Sequence, residues 1–249
     1  MVVLKKIVFF AFLVGLWEIM FRLAIWNPVM FPSPFSVWET MVQGFRDGSF
    51  PVAIGVSMKR ILVGYIISIL IGIPLGILVG RVKLLDETVG SIILGLQTLP
   101  SICWLPLAIL WFGLSEKSII FIVIIGALFS IALATEAGVK NVPPLYLRAA
   151  STLGARGMAL YIQIILPAAL PSIITGMKLG WSFAWRSLMA GELLASGLGL
   201  GYVLMMGRDL ADMSQVIAVM IIIALLGLLI DRLVFARLEQ GIRRRWGLA

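Results

Sequence analysis

Long apolar runs recur along this 249-residue chain, and short polar segments separate them. A helix needs about 20 apolar residues to cross the roughly 30 Å hydrocarbon core of a bilayer. The pattern therefore predicts an all-α polytopic membrane protein with about six transmembrane helices. The predicted spans cover residues 7–26, 61–80, 92–112, 118–135, a segment that begins after Pro167 and Pro171 and ends near 194, and 216–235.

Two local signals refine this pattern. Ser33 followed by Pro34 is typical of a helix N-cap with proline in the first turn, and it predicts a short interfacial helix between the first two spans. Pro100 and Pro106 interrupt the third span, so we expect kinked or unwound backbone between them. Six spans joined by short segments predict one transmembrane domain over residues 1–249, with a polar cytoplasmic segment at about 137–167.

The composition excludes several classes of function. Hydrophobic residues make up 61% of the chain and charged residues only 13%. One cysteine and no histidine leave no basis for a cysteine cluster or a histidine-based metal or catalytic site, so we predict no metal, no cofactor and no catalytic residue. No phosphate-binding loop of the Gly-x-x-x-x-Gly-Lys-Ser/Thr type occurs, so any ATP site must lie in another subunit.

The net charge of +8 does not indicate nucleic-acid binding, because the cations lie at the ends of apolar spans. Most of them fall on the side that carries both termini and the 137–167 segment. The positive-inside rule therefore places both termini and this segment in the cytoplasm. Lys5, Lys6, Arg81, Lys83, Lys140, Arg148, Arg156, Arg232, Arg237, Arg243, Arg244 and Arg245 are on that side.

The polar segment carries a spaced motif. Ala149, Ala150 and Gly154 are followed by Ile164, Leu166 and Pro167. This arrangement resembles the coupling loop of ATP-binding-cassette (ABC) importer permeases, which reads Glu-Ala-Ala, three residues, Gly, nine residues, Ile, any residue, Leu-Pro. Arg148 departs from the pattern, since it stands where the family usually has Glu.

Further blocks resemble the branch of these permeases that serves nitrate, sulfonate (taurine) and bicarbonate importers. They include residues 31–34, 72–76, 105–113 and 170–176. The resemblance implies the type I importer permease fold in a prokaryotic cell membrane. It also implies a second permease copy, expected to be identical, two cytoplasmic ATPase subunits and an extracytoplasmic solute-binding protein. Arg148, Ala149, Ala150, Gly154, Ile164, Leu166 and Pro167 would then couple the permease to the ATPase, with Gly154 ending a short helix and Pro167 stopping any helix before the fifth span.

The predicted fifth span carries Lys178, Ser182 and Arg186 at four-residue steps, which places them roughly on one helix face. Cations inside a membrane usually face a cavity or a partner, so this face is a candidate pathway for an anionic solute. The alternative is structural: Lys178 reaches the cytoplasmic interface, and Arg186 pairs with Glu192, Glu136 or Glu18. Gln97, Ser101 and Trp104 flank the broken part of the third span, where they line the pathway or close the kink.

Three other functions compete with that of an importer of a small anionic solute. A permease for a neutral or cationic solute, such as a vitamin precursor, would have the same fold but use Lys178 and Arg186 structurally. A stand-alone secondary transporter would leave the spacing from Ala149 to Pro167 unexplained. A membrane enzyme would need a reactive cluster, and Cys103 is unaccompanied.

Overall fold

A computed structural model describes the backbone of residues 2–24, 26–27, 29–194 and 197–245, and the side chains within residues 4–241 of these. Every regular element in the described chain is helical, which confirms the all-α prediction. The side chains of Arg243, Arg244 and Arg245 lie outside the described residues.

We number the helices α1 to α10 in chain order. Helix α4 (Lys83–Gln97) contains a π-helical stretch, Asp86–Gly90, and α8 (Met158–Leu194) contains another, Tyr161–Ile165. The first turn of α5 (Ser101–Phe112) is a 3₁₀ turn, Ser101–Trp104. The bounds are α1 Val2–Arg22, α2 Pro34–Arg46, α3 Ser49–Arg81, α4 Lys83–Gln97, α5 Ser101–Phe112, α6 Glu116–Lys140, α7 Pro144–Thr152, α8 Met158–Leu194, α9 Leu200–Asp209, and α10, which joins Met213–Ile230, the π stretch Asp231–Phe235 and Ala236–Arg245.

Four described helices are long and apolar enough to cross a membrane: α3, α6, α8 and α10. The α4–α5 pair makes a fifth if it is one broken span, and its axis bends by 100°. The predicted break in the third span is therefore confirmed, but it lies at residues 98–100 and not between Pro100 and Pro106. Pro106 falls in the first turn of an α-helical stretch, where proline is tolerated. The first predicted span, α1, is helical but is not among these helices. Every 18-residue stretch within it contains the charged residues Lys5, Lys6 and Glu18.

The larger of two compact units comprises Met58–Ala195 and Gly227–Ala249. Within it, α6 packs against both α3 and α8. Small residues at multiples of four positions line the contacting face of α3, where Gly64, Gly72, Gly76 and Gly80 all meet α6. Such small residues let two membrane helices approach closely, and this close packing fixes the positions of the polar side chains described below.

The smaller unit comprises Met1–Ser57 and Ser196–Leu226. The predicted N-cap is present: the backbone N–H of Ser36 donates to the Ser33 hydroxyl at 3.0 Å, and Pro34 begins α2. At the other end of α2, the backbone N–H of Ser49 donates to Asp47 at 2.8 Å. This hydrogen bond holds the pKa of the Asp47 carboxyl below its usual value.

Substitution of Gly76 by alanine is expected to destabilise the larger unit by about 1–3 kcal/mol, the usual range for overpacking. A Cβ at this position would overlap the carbonyl oxygen of Ala132 and lie 2.6 Å from the Cβ of Thr135. The thermal unfolding midpoint of the purified protein in detergent measures the effect. Gly55→Ala on the same helix is the matched control, because a Cβ there meets nothing within 4 Å. Equal midpoints for the two variants would contradict this account of the α3–α6 contact.

Candidate coupling helix and translocation pathway

Helix α7 is the short helix of the polar segment, and Gly154 ends it. The backbone N–H of Ala155 donates to the carbonyl of Ala150 at 2.9 Å, and that of Gly154 donates to the carbonyl of Ser151 at 3.1 Å. This pair of bonds is the Schellman arrangement, which requires a left-handed residue after the helix. Gly154 supplies it with a φ of +87°, as the sequence predicted. The turn therefore sets the direction in which the chain leaves α7.

The residues of the motif on α7 face different environments. Ala150 is 4% exposed and packs inside this chain, whereas Arg148 and Ala149 are exposed. Leu145 and Leu153 are 70% and 88% exposed, and they lie one turn on either side of Ala149. Leu145, Ala149 and Leu153 thus form an exposed apolar stripe, which the sequence analysis missed. The signal was present in the i, i+4, i+8 spacing of these residues.

The prediction that Pro167 stops a helix was wrong. Helix α8 runs from Met158 to Leu194 through both Pro167 and Pro171. Proline normally clashes with the carbonyl four residues before it. Here the backbone is widened into a π turn just ahead of Pro167, where the N–H of Leu166 donates to the carbonyl of Tyr161. This wider turn accommodates the proline ring, so Leu166 and Pro167 lie in the first turns of a continuous helix, and Ile164 lies in the π turn.

A cavity of about 440 Å³ opens at the 100° bend between α4 and α5. Three of the predicted pathway residues line it: Gln97, Ser101 and Arg186. The guanidinium of Arg186 lies over the ring of Phe183, with its Cζ 5.6 Å from the ring centroid. The hydroxyl of Ser187 donates to that of Ser101 at 2.7 Å, which anchors the first turn of α5 to α8. The cavity thus combines a cation, an amide and a hydroxyl with apolar walls.

The other three predicted pathway residues do not line this cavity. Lys178 forms an ion pair with Asp231 at 3.1 Å, and Ser182 is exposed elsewhere on α8. Trp104 packs with Leu105, and its indole N–H is buried without a hydrogen-bond partner among the described residues. Lys178 and Arg186 point in different directions, because eight helical positions turn the side chain of Arg186 by about 80° from that of Lys178.

The three carboxylates that the sequence offered as alternative partners of Arg186 form ion pairs with other cations. Glu18 pairs with Arg22 at 2.7 Å, and Glu136 pairs with Lys140 at 2.8 Å. Glu192 accepts from the Nη1 of Arg60 at 2.9 Å.

Arg60 and Glu192 belong to a charge cluster that the sequence analysis missed. Arg60 is 5% exposed and Glu192 is 1% exposed. The Nε of Arg60 also donates to Glu116 at 3.3 Å, and Lys59 approaches the other oxygen of Glu116 at 3.7 Å. The cluster joins α3, the first turn of α6 and the last turns of α8. Its two cations and two carboxylates balance, which is how buried charges are tolerated.

A protein-family model described as a binding-protein-dependent transport system inner membrane component matches residues 72–244. The match covers more than half of the chain. The chain belongs to this family. It is therefore a membrane permease of the ABC importer class, and the resemblance that began with the motif at Ala149 is confirmed.

Similar proteins agree with this assignment. The permease is 40% identical over 227 residues to a Methanocaldococcus jannaschii protein described as an ABC transporter permease, covering 89% of this chain and 85% of that protein. It is 31% identical to the taurine transport permease of Escherichia coli, covering 89% and 82%. It is also 31% identical to the nitrate import permease of Leptolyngbya laminosa, covering 90% and 82%.

A solved structure of the methionine ABC transporter in an inward-facing conformation has the same fold. The TM-score is 0.68 at 20% identity, and the match covers 76% of this permease and 94% of that chain. The type I importer permease fold is confirmed. Family membership also leaves the secondary transporter and the membrane enzyme without support.

Proposed function

We propose that two copies of this permease form the membrane channel of an ATP-driven importer for a small anionic solute. An ATPase dimer binds on the cytoplasmic side, and a solute-binding protein delivers the solute from outside. Membership in the binding-protein-dependent family and similarity to taurine and nitrate permeases support this proposal. Both termini and α7 lie in the cytoplasm of a prokaryotic cell whose inner membrane holds the permease, since the cations are concentrated on that side.

The exposed apolar stripe on α7 is the docking surface for the ATPase. Leu153 caps the C-terminal end of α7 and is 88% exposed, so the described part of this chain leaves it uncovered. A groove on a partner subunit would cover it, and apolar anchors at i and i+4 are the usual way in which a helix binds a groove. Ala150 and Gly154 fix the direction of α7, and Arg148 lies beside the stripe. A surface ion pair of Arg148 with the ATPase would contribute only about 0–1 kcal/mol.

Helix α8 transmits the motion of the ATPase to the solute pathway. It begins six residues after α7 ends and reaches Arg186 without a break, a distance of about 40 Å at 1.5 Å per residue. ATP-driven closure of the ATPase subunits moves α7, and α8 then tilts as a rigid rod. The cavity at Arg186 opens alternately to the two sides of the membrane as a result.

The position of Arg186 in the cavity is the observation that carries the anionic-solute proposal. The guanidinium supplies positive charge and paired N–H donors, which suit a sulfonate or nitrate group. The amide of Gln97 and the hydroxyl of Ser101 supply further polar groups in the lining of the cavity. The ion pair of Lys178 with Asp231 favours a structural role for Lys178.

Arg186→Gln is expected to lower the initial rate of solute uptake at least tenfold, because a charged hydrogen bond contributes about 1.5–3 kcal/mol. The measurement uses proteoliposomes that contain the permease, its ATPase and its binding protein, with labelled taurine and nitrate as probes. Basal ATP hydrolysis is expected to persist, since α7 is intact. Arg186→Lys, which keeps the charge, should recover part of the uptake, and Ser182→Ala should leave it unchanged. Solute uptake at the normal rate by Arg186→Gln would show that Arg186 does not contact the solute.

A further inference from the structure

A second cleft, of about 340 Å³, lies where the last turns of α3 meet the first turns of α8. Its walls are almost entirely apolar, and several wall side chains are widely exposed: Leu78 is 53% exposed, Ile162 is 59% and Met158 is 72%. One charged residue, Arg81, lines the cleft. The lining residues are Ile77, Leu78, Arg81, Val82, Met158, Tyr161, Ile162, Ile165 and Leu166.

Two guanidinium nitrogens of Arg81 lack an acceptor in the described part of the chain. Its Nε and Nη2 are buried and have no hydrogen-bond partner among the described residues. Its Cζ lies 5.5 Å from the centroid of the Tyr161 ring, which covers one face of the guanidinium. A desolvated guanidinium without an acceptor is costly, so an anion from outside the described chain is expected at this end of the cleft.

We propose that this cleft binds an anionic phospholipid. One acyl chain lies along the apolar wall formed by Leu78 and Ile162, and the phosphate accepts hydrogen bonds from Arg81. Because Nε and Nη2 are buried in this structure, binding through this edge requires a rotation about the flexible side-chain bonds of Arg81. Tyr161 lies where aromatic residues concentrate, at the boundary between hydrocarbon and headgroups.

The position in the membrane favours a lipid over a free anion. Arg81 ends a membrane-spanning helix, so the cleft begins at headgroup depth and continues into the hydrocarbon layer. A free phosphate would bind the arginine but would leave the apolar walls exposed. With the orientation proposed above, the cleft faces the cytoplasmic leaflet, where anionic lipids are drawn to basic residues.

The binding test uses the purified full-length permease in detergent, so its outcome does not depend on membrane orientation or on transport. Phosphatidylglycerol, phosphatidylcholine and inorganic phosphate are added separately, and the thermal unfolding midpoint and the lipid retained in native mass spectrometry are recorded. Phosphatidylglycerol is expected to raise the midpoint and to leave one bound lipid per chain. Phosphatidylcholine and inorganic phosphate should do neither.

Arg81→Gln is expected to lose the bound lipid and most of the midpoint shift. Lys83→Gln is the matched control, because its side chain is 89% exposed and two residues away, and it should behave like the unmodified protein. Ile162→Ser is a second variant that weakens the apolar wall without touching the charge, and it should retain less lipid. Retention of phosphatidylglycerol by Arg81→Gln and Ile162→Ser would overturn the proposal, as would an equal response to inorganic phosphate alone.

Discussion

Arg60→Met is expected to prevent recovery of folded permease, or to lower its stability by about 3–5 kcal/mol, the usual cost of breaking a buried ion pair. The change removes the cation that lies 2.9 Å from the buried carboxylate of Glu192 and 3.3 Å from Glu116. Size-exclusion chromatography and the thermal unfolding midpoint in detergent measure the loss. Lys59→Met is the matched control, because Lys59 is the next residue, its side chain is 70% exposed and its contact with Glu116 is long. It should cost at most about 1 kcal/mol.

A double substitution separates lost charge balance from lost packing. Replacing Arg60 and Glu192 together by methionine removes one charge of each sign and leaves Lys59 beside Glu116. Well-packed apolar residues often replace a buried pair with little loss of stability. The double variant should therefore be more stable than Arg60→Met alone. If Arg60→Met and Lys59→Met lower the unfolding midpoint equally, the buried cluster does not stabilise the contact of α3, α6 and α8.

Leu153→Asp is expected to abolish co-purification of the ATPase with the permease. Leu153 is the most exposed residue of the apolar stripe on α7, and a carboxylate there would be desolvated in the contact. Removal of a well-buried apolar anchor from an interface commonly costs 2 kcal/mol or more, which is a loss of affinity of about thirtyfold. The permease itself should fold normally, since the side chain contacts solvent in the isolated chain.

Ser151→Asp is the matched control for Leu153→Asp. It introduces the same charge on the same helix, at an exposed position on the face opposite Ala149. ATPase association should be retained in this variant. Arg148→Glu, which restores the residue usual in the family, should change association by no more than about 1 kcal/mol. If the ATPase binds Leu153→Asp and Ser151→Asp equally well, the stripe is not the docking surface.

The sequence predicted the features that depend on local chemistry. Hydropathy located the long helices, and Pro100 marked the break that the structure places between α4 and α5, whereas Pro106 lies within α5. Ser33 before Pro34 predicted an N-cap, and Gly154 predicted a helix end, because each has a characteristic backbone preference. Hydropathy alone over-predicted the span at α1, since the uncharged stretch between Lys6 and Glu18 is shorter than a membrane crossing requires.

The failures arose where distant residues decide the outcome. Pro167 normally disfavours helix, but a π turn at Tyr161 gives the ring room, and no local rule predicts such a turn. Arg60 and Glu192 are 132 positions apart, so their pairing depends on how α3 and α8 are brought together. Similarly, Lys178 and Arg186 lie two four-residue steps apart on α8, yet Lys178 forms an ion pair with Asp231 on α10 and does not line the cavity.

The measurement that tests the account most directly is solute uptake by reconstituted proteoliposomes. They would contain the permease with its ATPase and binding protein, or the permease alone, and Leu153→Asp would be compared with Ser151→Asp. We predict uptake only when ATP, the ATPase and the binding protein are all present, with uptake retained in Ser151→Asp and lost in Leu153→Asp. Uptake by the permease alone, or full ATP-driven uptake in Leu153→Asp, would contradict a channel driven through α7.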